Sequence, residues 1–142
     1  MMGMFDQIGE YRPDSLIAGN QFPILTDGIG LKAGQGVLRR GSLIMKGTDK
    51  AGYIAGSTVT ATTGEGESAV TSDMEMKVHG ILTDDFDTGT DDASDNIPAT
   101  VYLTGEYNRE AVIVAGKDNP VGNYEDDMKK TGIYLRTVQN YE

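Results

Sequence analysis

Short runs of apolar and β-branched residues, separated by glycines and polar residues, recur along most of the chain. Runs of this kind predict strands at 37–45, 53–54, 58–62, 78–83, 99–103, 111–115 and 133–135. Gly41 interrupts the first run, where a bulge or a close approach of two backbones is expected. Residues 64–67 are expected to form a polar turn and 105–110 a connection. The pattern therefore predicts a mainly β domain.

A single short helix is predicted over 124–131. Asn123 suits the N-cap position, acidic residues fill the first turn and lysines fill the last turn, as the helix dipole favours. Gly132 follows as the left-handed residue that often ends a helix. The predicted fold is thus mainly β with one short helix.

Residues 1–30 differ from the rest of the chain because prolines and glycines punctuate two short apolar pieces, 16–17 and 22–25. Pro13 and Pro23 lack a backbone donor, and no helical period survives this spacing. We expect an extended N-terminal arm over 1–30 and a β-rich domain over 31–142. The alternative, that this segment is an ordinary edge strand of the same domain, stays open.

Residues 84–96 form an acidic stretch with few apolar residues, which predicts a solvated loop. Asp85, Asp87 and Gly89 have the spacing with which a calcium-binding loop begins, but the terminal glutamate of an EF-hand is missing. A weak site for a hard cation stays open as an alternative to a hydrated surface loop. No metal site is assigned.

The composition predicts a thin hydrophobic core. The 142 residues include 19 glycines, whereas Leu, Ile, Val and Phe together supply about a fifth of the chain. The formal net charge is −10, and most of the excess negative charge lies in the second half of the chain. We therefore expect partner subunits to complete the burial. The acidity also excludes a general nucleic-acid binder, which neutralises phosphates with lysine and arginine.

Candidate catalytic chemistry is sparse. The chain has no cysteine and a single histidine, His79, so a Ser-His-Asp arrangement would have to include that residue. Residues 28–33 fit Gly-x-Gly-x-x-Ala, but Gly34 and Gly36 follow and disfavour the helix that a dinucleotide site needs. We predict no enzymatic activity, no catalytic residue and no cofactor. No apolar run is long enough to span a membrane and no signal peptide is seen, so we expect a soluble chain made in the cytoplasm.

Four stretches of the chain are informative because of their order and spacing. They are Pro-Asp-Ser-Leu-Ile-Ala-Gly at 13–19 with Phe22-Pro23, Gly-Val-Leu-Arg-Arg-Gly-Ser-Leu at 36–43, Gly80-Ile81-Leu82 with Ala-Thr-Val-Tyr-Leu-Thr-Gly-Glu-Tyr-Asn at 99–108, and Lys-Thr-Gly-Ile-Tyr-Leu at 130–135. Together they resemble the head decoration proteins of tailed bacteriophages, the lambda-like family of capsid-stabilising proteins. Residues 57–78 and 84–97 add little to this resemblance.

The resemblance implies a small β-rich fold, described as β-clip or β-tulip, that forms homotrimers. Such trimers sit on the outer surface of the expanded head at local three-fold positions and clamp neighbouring subunits of the major capsid protein. The expected location is the virion, and the expected partners are the major capsid protein and further copies of the chain, with no nucleic acid and no membrane. The residues assigned to a capsid-binding arm are Pro13, Leu16, Ile17, Phe22 and Pro23.

Two other functions stay open. A virion-surface adhesin or fibre-base module with the same β fold would bind host glycans. A trimeric β nucleotide hydrolase would need basic phosphate-binding residues, which are scarce here. For the capsid-binding arm, deletion of residues 1–30 is predicted to leave a folded trimer that no longer binds capsids.

Overall fold

The computed structural model describes residues 16–19, 23–57, 60–63, 70–91, 94–116 and 118–137. These residues form twelve strands, namely β1 (Ile17–Gly19), β2 (Thr26–Leu31), β3 (Val37–Leu38), β4 (Leu43–Gly47), β5 (Gly52–Ile54), β6 (Thr60–Thr63), β7 (Val70–Asp73), β8 (Met76–Leu82), β9 (Phe86–Asp87), β10 (Ile97–Tyr102), β11 (Gly105–Asn108) and β12 (Ile133–Arg136). Helix α1 covers Glu125–Thr131 and follows a 3₁₀ turn at Val121–Tyr124. In this part of the chain the protein is mainly β with one short α-helix, which confirms the predicted fold class.

Five strands close into a barrel in the order β10–β2–β5–β4–β8. Neighbouring strands are antiparallel except β2 and β5, which run parallel and meet at Leu31 and Gly52. The β2–β10 ladder joins residues 26–31 to 97–102, so strands far apart in sequence close the barrel. One buried cluster, here called the barrel core, consists of Ile29, Leu31, Leu38, Ile44, Leu82, Ala99 and Val101.

A second sheet has the strand order β1–β11–β12 and is here called the outer sheet. Its central strand β11 is antiparallel to β1 and parallel to β12. Successive side chains of β4 alternate between two clusters, since Ile44 belongs to the barrel core and Leu43 to the second cluster. That second cluster, the outer core, consists of Leu16, Leu43, Met45, Ala55, Val78, Ile81, Tyr107, Val112, Met128, Ile133 and Leu135.

Strand β11 is the main departure from the predicted strands. Residues 105–110 are predicted as a connection, yet Gly105–Asn108 forms a strand in which all four residues are buried. The prediction was wrong because Glu106 and Asn108 give the segment a polar pattern, whereas neighbouring groups satisfy both side chains. Arg136 donates to Glu106 Oε1 at 3.0 Å, and Asn108 Oδ1 accepts the backbone N–H of Glu110 at 3.1 Å.

Residues 111–115 are predicted as a strand, but they pair with a neighbour at a single position. The backbone N–H of Ile113 donates to the Gly41 carbonyl, and the Ile113 carbonyl accepts the N–H of Leu43. The pairing does not continue as a ladder, because the N–H of Ala115 donates to the Ala55 carbonyl at 2.7 Å and the Leu43 carbonyl accepts the N–H of Ala55. Gly41 itself has φ of 96°, and a Cβ there would lie 2.7 Å from the Ala111 carbonyl oxygen, which confirms the predicted close approach of two backbones.

Helix α1 ends as predicted and begins differently. Gly132 takes the left-handed conformation, with φ of 95°, and its N–H donates back to the last turn. Tyr124, and not Asn123, occupies the N-cap position, and no side chain caps the helix. The 3₁₀ turn leads the backbone directly into α1, and the Asn123 amide donates instead to Asn119 Oδ1 at 3.1 Å.

Two further predicted segments differ in detail. The acidic stretch 84–96 is interrupted by β9, which pairs with β3 because the half-buried Phe86 packs against the barrel core. The predicted strand at 58–62 is observed from Thr60 as β6, paired with β7. Residues 58–59 and the predicted turn at 64–67 lie outside the described residues.

Candidate functional site

The N-terminal part of the described chain, residues 16–19 and 23–25, is called the leading segment here. It runs antiparallel beside residues 103–108. At one end the N–H of Asn108 donates to the Leu16 carbonyl at 2.7 Å, and β1 continues this pairing with β11. β1 is therefore an edge strand of the outer sheet.

Thr104 holds the other end of the leading segment. Its hydroxyl donates to the Pro23 carbonyl at 2.7 Å and accepts the N–H of Leu25 at 3.0 Å. The N–H of Leu103 donates to the Leu25 carbonyl at 2.7 Å. A single hydroxyl thus fixes two points of an extended backbone that is outside any ladder.

The leading segment carries most of the large apolar side chains that remain exposed on the described surface. Ile17, Ile24 and Leu25 are 40%, 37% and 57% exposed. Two others, Val37 and Ile113, lie elsewhere in the chain. The sequence analysis did not single out Ile24 and Leu25, which end the apolar piece at 22–25.

The residues assigned to the capsid-binding arm do not share one environment. Leu16 is 1% exposed and packs in the outer core, so its side chain is not available to a partner in this fold. Ile17 and Pro23 are exposed. Pro13 and Phe22 lie outside the described residues.

The last residues of the predicted arm are part of the barrel. Residues 26–30 belong to β2 and pair along their length with β10, because Ile29 and Leu31 are buried in the barrel core. Deletion of residues 1–30 would therefore remove most of a barrel strand together with Leu16. From the structure we therefore expect the truncated chain to unfold, whereas the sequence analysis predicts a folded trimer.

Gly19 allows β1 to lie close to β11. A Cβ at Gly19 would lie 2.0 Å from Glu106 Oε2, so no larger residue fits there without a shift of the carboxylate. Glu106 is 7% exposed, and its other oxygen accepts a hydrogen bond from Arg136. The fixed carboxylate therefore determines how closely β1 approaches β11.

His79 occupies an irregular position on β8. A register shift leaves it without a directly opposed residue on β4. Its Nε2 is 3.8 Å from Asp27 Oδ2 and, within the described residues, has no hydrogen-bond partner. Burial lowers the pKa of the imidazole below 6.5, and the Lys46 ammonium lowers it further, while Asp27 raises it. Among the residues that the structure describes, no serine or threonine hydroxyl forms a hydrogen bond with this Nε2.

Two other candidate motifs are the glycine motif at 28–33 and the acidic stretch at 84–96. Residues 28–31 lie in β2 and not at a helix start, so the glycines there do not form a dinucleotide-binding turn. In the acidic stretch, Asp85 Oδ1 accepts the N–H of Arg40 and Asp87 Oδ1 accepts the N–H of Gly89. Within the described ranges, no three His, Cys, Asp or Glu side chains are grouped to hold a metal ion.

The four stretches that carry the family resemblance meet in the outer core. Leu16 comes from the first stretch, Leu43 from the second, Ile81 and Tyr107 from the third, and Ile133 from the fourth. These residues are buried framework positions. The resemblance therefore concerns the arrangement of the core more directly than it concerns a binding surface.

Sequence comparison with family models and with curated proteins identifies no relative. The sequence matches no family model, and no curated protein is significantly similar to it. In the part of the chain that the structure describes, none of the helices has the length and apolar character needed to cross a bilayer.

Proposed function

We propose that this chain is a structural protein of a tailed-phage head, which binds the outer surface of the expanded capsid as a homotrimer and stabilises it. The proposal starts from the sequence resemblance and includes the local three-fold positions and the β-tulip relationship that the resemblance implies. The structural observation that carries it is the set of exposed apolar side chains on the leading segment. The partner is the major capsid protein.

The proposed contact surface consists of Ile17, Pro23, Ile24 and Leu25. Their backbone is already held by β11 and Thr104, so binding does not have to order this part of the chain from a disordered state. This lowers the entropy cost of association, which for a free segment is about 1–2 kcal/mol per residue. Pro13 and Phe22 remain predicted members of the same surface.

The proposed contact surface is better suited to a trimer that binds the capsid through three weak contacts than to a single copy that binds through one strong contact. Full burial of an Ile or Leu side chain contributes roughly 1.5–3 kcal/mol, and these side chains are already partly buried. Association itself costs about 4–15 kcal/mol in lost translational and rotational freedom. One copy alone therefore binds weakly, whereas a trimer presents three surfaces at high effective concentration.

The charge of the chain agrees with an outer location. A net charge of −10 repels packaged DNA, so the chain suits the outside of a DNA container and not its lining. No cofactor or catalytic step is needed for this role, which is the mechanical stabilisation of subunit contacts.

Co-sedimentation with purified heads tests the proposal. The probe is the expanded, decoration-free head of the phage that encodes the chain, with unexpanded heads as a comparison. Wild-type protein should saturate expanded heads at local three-fold positions and raise the temperature at which they release DNA. No binding to expanded heads would overturn the proposal.

A matched pair of variants locates the contact. Ile17→Asp/Leu25→Asp should reduce head binding by at least about tenfold, because each change places a charge in an apolar contact. Val37→Asp/Ile113→Asp makes the same number of changes at exposed apolar positions outside the leading segment and should bind as wild type. Equal loss in both variants would show that the leading segment is not the contact surface.

A further inference from the structure

The connection between β10 and β11, residues 103–104, holds part of the leading segment by hydrogen bonds. The N–H of Leu103 donates to the Leu25 carbonyl at 2.7 Å. The Thr104 hydroxyl donates to the Pro23 carbonyl at 2.7 Å and accepts the N–H of Leu25 at 3.0 Å. This stretch of the leading segment belongs to no strand, so these hydrogen bonds take the place of a ladder there.

The Thr104 hydroxyl acts as a donor and as an acceptor at the same time. A hydroxyl has one O–H and two lone pairs, so it can bind a carbonyl and an N–H together. Valine has nearly the same shape as threonine and offers neither group. Loss of the hydroxyl would therefore leave the hydrogen bond between Leu103 and Leu25 as the remaining one of the three.

The backbone of Thr104 is fixed from the side of the outer core. Tyr107 is fully buried there, and its hydroxyl donates to the Thr104 carbonyl at 2.7 Å. Between the two residues, Gly105 has φ of 136°, and a Cβ there would lie 2.8 Å from the Tyr107 hydroxyl oxygen. The carbonyl of Thr104 thus contacts the core, while its side chain contacts the leading segment.

The same contacts leave apolar side chains available on the surface. Ile24 and Leu25 are 37% and 57% exposed, although the N–H and the carbonyl of Leu25 are both hydrogen-bonded. A backbone group that becomes buried without a partner opposes binding. A partner that covers this stretch therefore meets apolar side chains whose backbone groups are already paired.

We propose that Thr104 is a positioning residue, whose hydroxyl, fixed through Tyr107, sets the affinity of the leading segment for the capsid. This inference rests on the proposed function and adds what controls its contact surface. If the capsid binds only copies in which the leading segment is held, the apparent affinity falls in proportion to the fraction of such copies. Neither hydroxyl belongs to the apolar contact surface, so both act through its position.

Hydrogen exchange of the full-length protein, followed by NMR without heads, tests the first step. In Thr104→Val the amide of Leu25 loses its acceptor and should exchange at least about tenfold faster than in wild type. Thr104→Ser keeps the hydroxyl and should recover most of the protection. Unchanged exchange of Leu25 in Thr104→Val would overturn the inference, because the hydroxyl would then not hold the segment.

Binding to expanded heads tests the second step. Thr104→Val should weaken head binding about fivefold or more, and Thr104→Ser should recover most of the affinity. Thr100→Val makes the same substitution at an exposed threonine of β10 and serves as the matched control. It should keep wild-type head binding and wild-type exchange at Leu25.

A buried variant tests the part assigned to Tyr107. Tyr107→Phe keeps the ring in the outer core and removes the donor to the Thr104 carbonyl, so it should also weaken head binding, although less than Thr104→Val. Combined with Thr104→Val, it should weaken binding by less than the product of the two separate factors, because both act on one position. A combined loss equal to that product would overturn the link through Tyr107.

Each adverse result is distinguishable from failure of the proposed function. If Thr104→Val frees the Leu25 amide but binds heads as wild type does, the hydroxyl does not set the affinity and the inference is overturned. Equal loss of binding in Thr104→Ser and Thr104→Val would overturn it too, since the hydroxyl would not be the cause. Both results leave the proposed function intact, whereas a wild-type protein that binds no heads would overturn both.

Discussion

The barrel and the outer sheet draw on different parts of the chain. The barrel core is contained within residues 29–101. The outer core depends on both flanks of the described chain, with Leu16 from the leading segment and Ile133 and Leu135 from β12. The leading segment is therefore part of the packing of the outer core through Leu16. We therefore expect a change in the leading segment to destabilise the outer sheet before it affects the barrel.

The largest expected effect comes from the centre of the outer sheet. Tyr107 is fully buried on β11, its hydroxyl donates to the Thr104 carbonyl at 2.7 Å, and burial raises the pKa of its phenol. Tyr107→Ala should lower the free energy of unfolding by about 3–5 kcal/mol, measured by urea denaturation. Tyr107→Phe keeps the ring and removes one hydrogen bond, so it should cost about 1 kcal/mol.

Hydrogen exchange on the Tyr107→Ala variant would show whether the two regions are separable. Amides of β11 and β12 should lose protection, while those of the β2–β10 ladder keep most of theirs. Equal loss in both regions would mean that barrel and outer sheet unfold as one unit, and the comparison would not hold.

The next effect concerns the only leading-segment side chain that we place in the core. Leu16→Ala should cost about 2–5 kcal/mol in unfolding free energy, because it leaves a cavity in the outer core. The adjacent Ile17 is exposed, so Ile17→Ala should cost less than about 1 kcal/mol. Similar costs at both positions would contradict the burial difference on which the proposed contact surface depends.

A smaller effect is expected at two glycines, which compare the cost of a positive φ with the added cost of a clash with a neighbouring backbone. Gly41 and Gly36 both have positive φ, of 96° and 74°, but a Cβ at Gly36 would have nothing within 4 Å, unlike one at Gly41. Gly36→Ala should cost about 1–2 kcal/mol from the backbone conformation alone. Gly41→Ala should cost more, since the alanine Cβ also meets the Ala111 carbonyl oxygen at 2.7 Å. Thermal unfolding of the two variants would measure the difference.

The smallest effect is a pH dependence at His79, where the register of β8 against β4 shifts. The pKa of His79 is lower in the folded chain than in the unfolded chain, so the unfolded state binds the proton more readily. Stability should therefore be complete above about pH 6.5 and fall as the pH drops through the folded pKa. His79→Gln should remove this component of the pH profile of unfolding, measured from pH 5 to 8. An unchanged profile would contradict the described burial of the imidazole.

The sequence predicts most elements whose side chains alternate in polarity. β10 has buried Ala99 and Val101 between exposed neighbours, and Gly132 ends α1 where a left-handed residue is required. β11 could not be predicted in the same way, because Glu106 and Asn108 are polar and yet buried, and the partner of Glu106 is Arg136, thirty residues further along the chain.

The candidate contact surface was partly predictable for a related reason. Proline and glycine spacing identifies an unusual N-terminal region, but it cannot tell which apolar side chains of that region face the core. Leu16 and Ile17 are adjacent and similar in chemistry, yet one is buried and the other exposed. That distinction is set by the register of β1 against β11, which is a tertiary contact.

The parallel pairing of β11 with β12 has a consequence for the order of events during synthesis. β1 is made long before β11, and β12 is made more than twenty residues after β11, with the 3₁₀ turn and α1 between them. Contacts between such distant segments form slowly, because the intervening chain must first be closed into a loop. During translation β1 therefore stays unpaired until β11 has been made, and until then the adjacent Leu16 is exposed, although it is buried in the folded protein.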